Sequence, residues 1–318
     1  MKVDSIIYNP LEVSTLGTDY LRFRHGHKDL ALQFPVKSMR EKVYPLAGGE
    51  VMSIIARPGH MKTGLMMFWA RQRANLLKEI EGRITIYATW EQSIEELHSF
   101  YVAAEQQVSI TKMAKGDLTE VDFEKIMKAS ASRISEPLFF IGHSMMRKSG
   151  RKPITTEHLG ESVERLQGEG FVVDSLYVDY LQQIPPLNMQ HGPVVAHSET
   201  MRELKNLALG LGIPVIVGVQ ASRDVEKTAE TKTLPVPEMH HAQWTSNIEQ
   251  SSDRVISNVR LRRYRKPGEY FGSYLVEGNN QLLITVLKQK LGEGNFDKLV
   301  SFNPIYNKLN EAEGEVKE

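Results

Sequence analysis

The chain has no cysteine. That excludes disulfide scaffolds, cysteine nucleophiles and cysteine-ligated zinc. It has no net charge either, with 39 basic against 39 acidic residues, so bulk attraction to nucleic acid or to an anionic membrane is not how it finds partners. No apolar run approaches the roughly 20 residues needed to cross a bilayer. The start, Met1-Lys2-Val3-Asp4-Ser5, lacks the basic-then-apolar layout of a signal peptide. These absences lead to the expectation of a soluble, cytoplasmic protein with no membrane partner. No G-x-G-x-x-G dinucleotide fingerprint, Ser-His-Asp constellation or internal repeat is readable. His25, His27, His240 and His241 have no carboxylate or cysteine at metal-ligand spacing and read as surface histidines.

What is present is an alternation. Short segments rich in Val, Ile, Phe and Tyr at 50–55, 83–89, 137–141, 172–178 and 214–219 read as buried parallel strands. Helical patterns lie between them at 63–77, 93–104, 156–167 and 198–211, the second opened by Ser93 with Glu96 three residues on, a capping-box pattern. Such an order predicts an α/β fold, a mostly parallel sheet with helices on both faces. Met66-Met67-Phe68-Trp69 reads as core and interface packing. Residues 1–34 read as an arm, 35–303 as the folded core, and the acidic 304–318 as a flexible tail. A polar loop at about 224–246 shows no clear structure. Runs near 255–259, 270–276, 281–287 and 299–302 read as antiparallel hairpins.

The chemistry concentrates after the first strand, in Ala56-Arg57-Pro58-Gly59-His60-Met61-Lys62-Thr63-Gly64. A strand, a tight loop, Lys-Thr and then a helix is the layout of a phosphate-gripping loop. Loop N–H groups wrap phosphate, the lysine reaches the terminal phosphates, the hydroxyl ligates Mg²⁺, and the helix aims its positive end at the anion. Both glycines of the common pattern are replaced, by Ala56 and Met61. In open α/β sheets ligands sit at the carboxyl ends of strands. The second strand ends at Glu91, the fourth at Asp179 and the fifth at Gln220. Together with Lys62 and Thr63 these form a set suited to nucleotide hydrolysis: Asp179 holding Mg²⁺ through water, Glu91 orienting or deprotonating the attacking water, Gln220 sensing the γ-phosphate.

On these residues the chain resembles the RecA-like motor domain of DnaB-type replicative hexameric DNA helicases, from about Phe34 to Phe302. The loop at 56–63 has that family's form, with Ala first. Val178-Asp179-Tyr180-Leu181-Gln182 resembles its Mg²⁺-binding strand end. Ser246-Asn247-Ile248-Glu249-Gln250-Ser251-Ser252-Asp253 resembles its Ser-Ile-Glu-Gln-x-x-Asp block, and Lys288-Gln289-Lys290 its Lys-Gln-Arg. The resemblance implies a RecA-like P-loop NTPase core with C-terminal antiparallel hairpins, using ATP and Mg²⁺. It implies a homo-hexameric ring on single-stranded DNA in replication, with Lys288 and Lys290 reaching the neighbouring subunit's nucleotide. A separate primase or loader is a further implied partner, and the family's N-terminal primase-contacting domain is expected to be missing. The arm would supply a linker and one helix packing on the next subunit. Arg260, in the basic run Arg260-Leu261-Arg262-Arg263-Tyr264-Arg265-Lys266, is a candidate nucleotide contact. Arg223, Gln243, Trp244 and Ser246 fall where the family grips DNA; Trp244 would stack a base, and Lys227 and Lys232 are candidate phosphate neutralisers.

Two departures bear on turnover. Met61 stands where the family has Gly, which lets backbone approach phosphate. Lys290 keeps the charge of the usual arginine finger but loses its planar fork. Three readings follow: an ATP-driven 5′-to-3′ ring helicase; an assembly subunit using ATP as interfacial glue with weak or no hydrolysis; and a RecA-like recombinase, which the Ile-Glu-Gln block disfavours.

Overall fold

In chain order, α1 (Pro10–Gly26) is followed by β1 (Val51–Ala56), α2 (Lys62–Leu77), β2 (Arg83–Thr89), α3 (Ile94–Gln106), α4 (Ile110–Lys115), α5 (Glu120–Arg133) and β3 (Leu138–Ile141). Next come α6 (Thr156–Gly168), β4 (Val172–Asp179), α7 (Pro193–Leu211), β5 (Val215–Gln220), α8 (Asp224–Thr228) and α9 (Asn247–Ser251). The C-terminal part is β6 (Arg254–Arg260), β7 (Tyr270–Phe271), β8 (Tyr274–Leu275), β9 (Gln281–Gln289), β10 (Phe296–Asn303) and β11 (Lys308–Asn310). The computed structural model describes residues 8–26, 31–146, 153–187, 192–228, 234–242, 247–290 and 292–310.

One nine-stranded sheet runs β11-β10-β9-β6-β1-β5-β4-β2-β3. β1 is parallel to both β5 and β6, and β5, β4, β2 and β3 continue the parallel part. Every residue of β1 is buried, and successive side chains serve opposite faces. Met52 and Ile54 join one core with Met66, Trp69, Tyr87 and Tyr177. Val51 and Ile55 join the other with Leu159, Met201, Leu204 and Val217. A strand covered on both faces must be apolar throughout, hence the unbroken runs in the sequence. α2 packs on the first face, and α6 and α7 on the second. Among the described residues no helix is long and apolar enough to cross a membrane.

Several expectations are adjusted. The segment near 255–259 is not simply one arm of an antiparallel hairpin: β6 lies parallel to β1 and antiparallel to β9, so the sheet changes sense at β6–β9. The core already includes Leu32 and Phe34, and the Trp69 indole donates to the Gln33 carbonyl at 2.8 Å. At the other end, β11 pairs with β10, so the sheet continues past 303 to Asn310. The loop at 224–246 contains α8 and a 3-10 turn at Met239–His241, tied back by an isolated bridge between Ala221 and Ala242. His241 is not a surface histidine but buried, its Nδ1 accepting the Glu238 N–H at 3.0 Å. The Ser93 capping box forms as expected, with Ser93 Oγ accepting from the Glu96 N–H and the Glu96 carboxylate from the Ser93 N–H. α5, which the periodicity did not reveal, opens with the same device on Thr119 and Asp122.

Candidate functional site

The carboxyl ends of β1, β5, β4 and β2 lie side by side, in that order. Register pairs Ala56 with Gln220 and Thr89 with Asp179. Alignment of the strand ends therefore brings the candidate phosphate loop, Gln220, Asp179 and Glu91 to one edge. They open on a cleft of about 220 Å³ lined by Arg57, Pro58, Gly59, Met61, Lys62, Thr63 and Gly64 from the loop and α2, with Glu91, Tyr180 and Gln220 opposite. A larger cavity of about 310 Å³ lies at the other edge of the sheet. Its charged groups are largely satisfied by one another: Arg73 forks onto Asp174 at 2.6 and 2.7 Å, and Arg83 reaches the same carboxylate at 3.2 Å.

Lys62 and Asp179 form the centre. The Lys62 ammonium is 3.3 Å from Asp179 Oδ1, with both side chains shielded from solvent, and lies 3.6 Å above the Tyr180 ring. Burial pulls the Lys62 pKa down, and the Asp179 and Glu91 carboxylates oppose that pull. Tyr87 donates its hydroxyl to Asp179 Oδ2 at 2.9 Å. Asp179 Oδ1 is buried and has no hydrogen-bond donor among the described residues, with the Lys62 ammonium beside it. That orphaned oxygen beside Lys62, together with the Thr63 hydroxyl that follows Lys62 in the cleft lining, has the chemistry of ligands for a hard cation. No cluster of three or more His, Cys, Asp or Glu able to hold a metal occurs among the described residues. Mg²⁺ in nucleotide sites commonly takes one or two protein ligands plus water and phosphate oxygens. Glu91 follows β2 at the cleft rim; partial desolvation raises its pKa, Lys62 lowers it, and Asp179 raises it further. Gln220 is locked at the backbone, donating its N–H to Gln182 Oε1 at 3.0 Å and accepting at its carbonyl from Gln182 Nε2.

The phosphate loop bends through two left-handed residues, Gly59 (φ 79°) and Met61 (φ 67°, ψ 24°). Met61 thus takes the glycine conformation itself, at a cost of about 1–2 kcal/mol for a side-chain-bearing residue. Its half-buried thioether packs on the core below the loop. At Gly59 the positive φ itself favours glycine; a Cβ there would also displace the end of the Arg263 side chain, 2.0 Å away. His60 turns away from the cleft. It is buried, its Nδ1 accepts the Arg260 N–H at 3.1 Å, and burial with Arg263, Arg57 and Arg260 nearby lowers its pKa to about 4. Arg57 donates to the Ala221 carbonyl and to Glu226 on α8, each at 3.0 Å.

The remaining candidate residues lie elsewhere. Arg260 does not line the cleft; its Nε donates to the Asn279 carbonyl. Lys288 and Lys290 sit near the starting ends of β1 and β6. Lys288 donates to the Glu249 and Ser252 carbonyls, and Lys290 is 3.5 Å from Asp253, which also receives Lys205 and the Val51 N–H. β1 separates that end from its own phosphate loop by about 17 Å, from the usual rise per residue. Arg223 is exposed at the start of α8. Gln243, Trp244, Ser246 and Lys232 lie outside the described residues. Sequence reading missed Tyr87, Tyr180, Phe100, Phe302, Pro304 and Asn307. The last three arrive from the C-terminal hairpin, and no local pattern connects them to a loop more than 200 residues earlier.

The fold has counterparts among known proteins. A solved structure described as an ATPase domain superposes with a TM-score of 0.77 at 18% identity, covering 94% of this chain and 98% of that one. A DnaB-like replicative helicase, solved in a study of its interactions with primase, gives 0.73 at 18% identity, covering 89% and 63%. The Mycoplasma genitalium "Replicative DNA helicase DnaB" is 26% identical over 233 residues, 72% of this chain and 46% of that protein. The chain thus spans about half the length of the curated relatives it matches. The model of the DnaB-like helicase C-terminal domain matches residues 33–311, most of the sequence, and the chain belongs to that family.

Proposed function

We propose that the protein is an ATP-dependent motor that assembles as a ring on single-stranded DNA, in the manner expected of a replicative helicase. The observation that carries this reading is the gathering of Lys62, Thr63, Glu91 and Gln220 around one cleft at the carboxyl edge of the sheet, with Asp179 paired to Lys62. Lys62, held now by Asp179, is placed to swing onto the terminal phosphates, where burial makes its charge effective. Thr63 and Asp179 would hold Mg²⁺, which when bound bridges phosphate oxygens and neutralises developing charge. Glu91 accepts the proton of the attacking water, and its raised pKa brings it closer to the range where a general base works well. Gln220 reports the γ-phosphate from the strand beside the loop.

Lys288 and Lys290 act on the site of the neighbouring copy, a reading supported by their position at the opposite edge from their own phosphate loop. Arg223 and the residues Gln243, Trp244 and Ser246 contact the DNA strand. Arg57 would link the two functions, since it belongs to the phosphate loop yet is paired with Glu226 on the helix that leads towards that segment. A second reading, ATP as interfacial glue with little turnover, is favoured by the left-handed Met61 at the cleft mouth. Membership of the helicase family sets the recombinase reading aside.

Steady-state ATP hydrolysis with and without single-stranded DNA, beside Glu91→Gln, separates the two readings. Turnover that DNA stimulates and Glu91→Gln removes supports the motor. Tight ATP binding without turnover overturns it in favour of the assembly subunit.

A further inference from the structure

The cleft lining holds two chemically different sets of residues. Lys62, Thr63, Glu91 and Gln220 are charged or polar; Met61, Phe100, Phe302 and Pro304 are apolar. Asn307 joins the lining from the turn between β10 and β11. It is 1% exposed, and neither Oδ1 nor Nδ2 has a hydrogen-bond partner among the described residues. Leaving such groups buried and unpaired costs about 1–3 kcal/mol each. The turn packs closely on the first turn of α2, where Gly64 has no side chain. A Cβ there would meet the Phe302 ring at 3.2 Å and Asn307 Oδ1 at 3.5 Å.

A flat apolar wall with one unpaired primary amide, next to a phosphate site, matches a nucleobase and its hydrogen-bonding edge. Aromatic faces accept any base by stacking, whereas an amide offers a donor and an acceptor side by side. That pair matches the amino group and adjacent ring nitrogen of adenine. We propose that Asn307 is a specificity-determining residue that pairs with the base edge of a bound purine nucleoside triphosphate, with Phe302 and Phe100 flanking the ring. The proposal rests on the nucleotide reading of the cleft given above and names the group that recognises the base. Local turn geometry accounts for an asparagine here but not for its empty hydrogen bonds: the φ of 45° suits Asn, and it suits Gly equally well.

Asn307→Gly is therefore the informative variant, since it keeps the turn and removes the amide; Asn307→Asp keeps the shape and replaces the donor by an acceptor. Equilibrium binding would be measured for Mg-ATP, for Mg-tripolyphosphate, which has no base, and for purine riboside triphosphate, which lacks the 6-amino group. Thermal melts would verify folding. Asn307→Gly should weaken Mg-ATP about tenfold, weaken the 6-desamino analogue less, and leave tripolyphosphate unchanged. Equal weakening of ATP and tripolyphosphate would mean that the amide only supports the phosphate-loop helix and would overturn the proposal, as would unchanged ATP affinity. If the native protein binds tripolyphosphate but gains nothing from the base, the base subsite fails while the phosphate site stands. If it binds neither, the nucleotide reading falls and the proposal with it.

Discussion

The Lys62–Asp179 pair yields a prediction that needs no nucleotide. Both side chains are nearly inaccessible, at 11% and 1% exposure, and the charged groups are 3.3 Å apart. Lys62→Met keeps most of the apolar stem and strands a buried carboxylate whose remaining donor is Tyr87. Breaking a buried pair from one side costs about 3–5 kcal/mol; the surviving Tyr87 bond argues for the lower end, about 3 kcal/mol. At about 2–4 °C per kcal/mol for a chain of this order, Tm falls by roughly 6–12 °C. Asp179→Asn should cost less, about 1–2 kcal/mol. The stranded Lys62 still lies over the Tyr180 ring, and burial already favours loss of its proton. The double variant puts a thioether beside a neutral amide and should be no worse than Asp179→Asn alone. That implies a coupling of about 3 kcal/mol. Nucleotide-free urea and thermal melts of the four proteins measure it. Nucleotide affinity is a separate readout, and all three variants should lose it, so the double variant should be stable yet unable to bind. Additivity of the two single changes within about 0.5 kcal/mol would refute the buried-pair reasoning.

Other consequences follow from the same geometry. Because desolvation raises the Glu91 pKa above its ordinary value of 4.5, kcat should decline as pH falls through that raised value and Glu91 takes a proton. A pH–rate profile whose acid limb survives in Glu91→Asp at an unmoved midpoint would assign the limb to another group. His60 is kept neutral, with a folded pKa of about 4 against an ordinary 6.5. Its contribution is complete above pH 6.5 and is lost as pH falls towards 4, up to about 3 kcal/mol. His60→Asn should flatten the decline of Tm across that window, and an identical decline in both proteins would contradict the assignment. Met61→Gly removes about 1–2 kcal/mol of left-handed strain and forfeits about 1 kcal/mol of half-buried packing. Tm should therefore move by only a few degrees, while kcat rises as the loop backbone becomes freer to close on phosphate. An unchanged kcat would show that Met61 is not a brake.

Much of the fold is legible in the sequence itself. Strands buried on both faces appear in sequence as unbroken apolar runs, so the five parallel strands were placed within a residue or two of their observed ends. Polar residues that interrupt such runs stand out, which is why Glu91, Asp179 and Gln220 were visible. The candidate phosphate loop is legible in sequence because such a geometry is local: a strand, a few loop residues and a helix start. α5 was hidden because its face is only weakly apolar, with Ala129 its one buried residue, although Thr119 and Asp122 carried a readable capping signal. The buried state of His241 escaped for a similar reason, since burial depends on what folds over a residue rather than on its neighbours in sequence.

The sequence by itself determined which local devices form, because helix caps, turns and strand runs are decided by interactions a few residues long. It also determined that Met61 would be the awkward residue of the loop. Only the tertiary structure decided what meets what. It sent Arg260 and His60 to the outside of the phosphate loop and parked Lys62 on Asp179. It put Lys288 and Lys290 at the opposite end of the sheet, and it brought Phe302 and Asn307 against the first turn of α2. These are contacts between segments far apart in the chain. They are decided by strand order and direction, to which local propensity is blind.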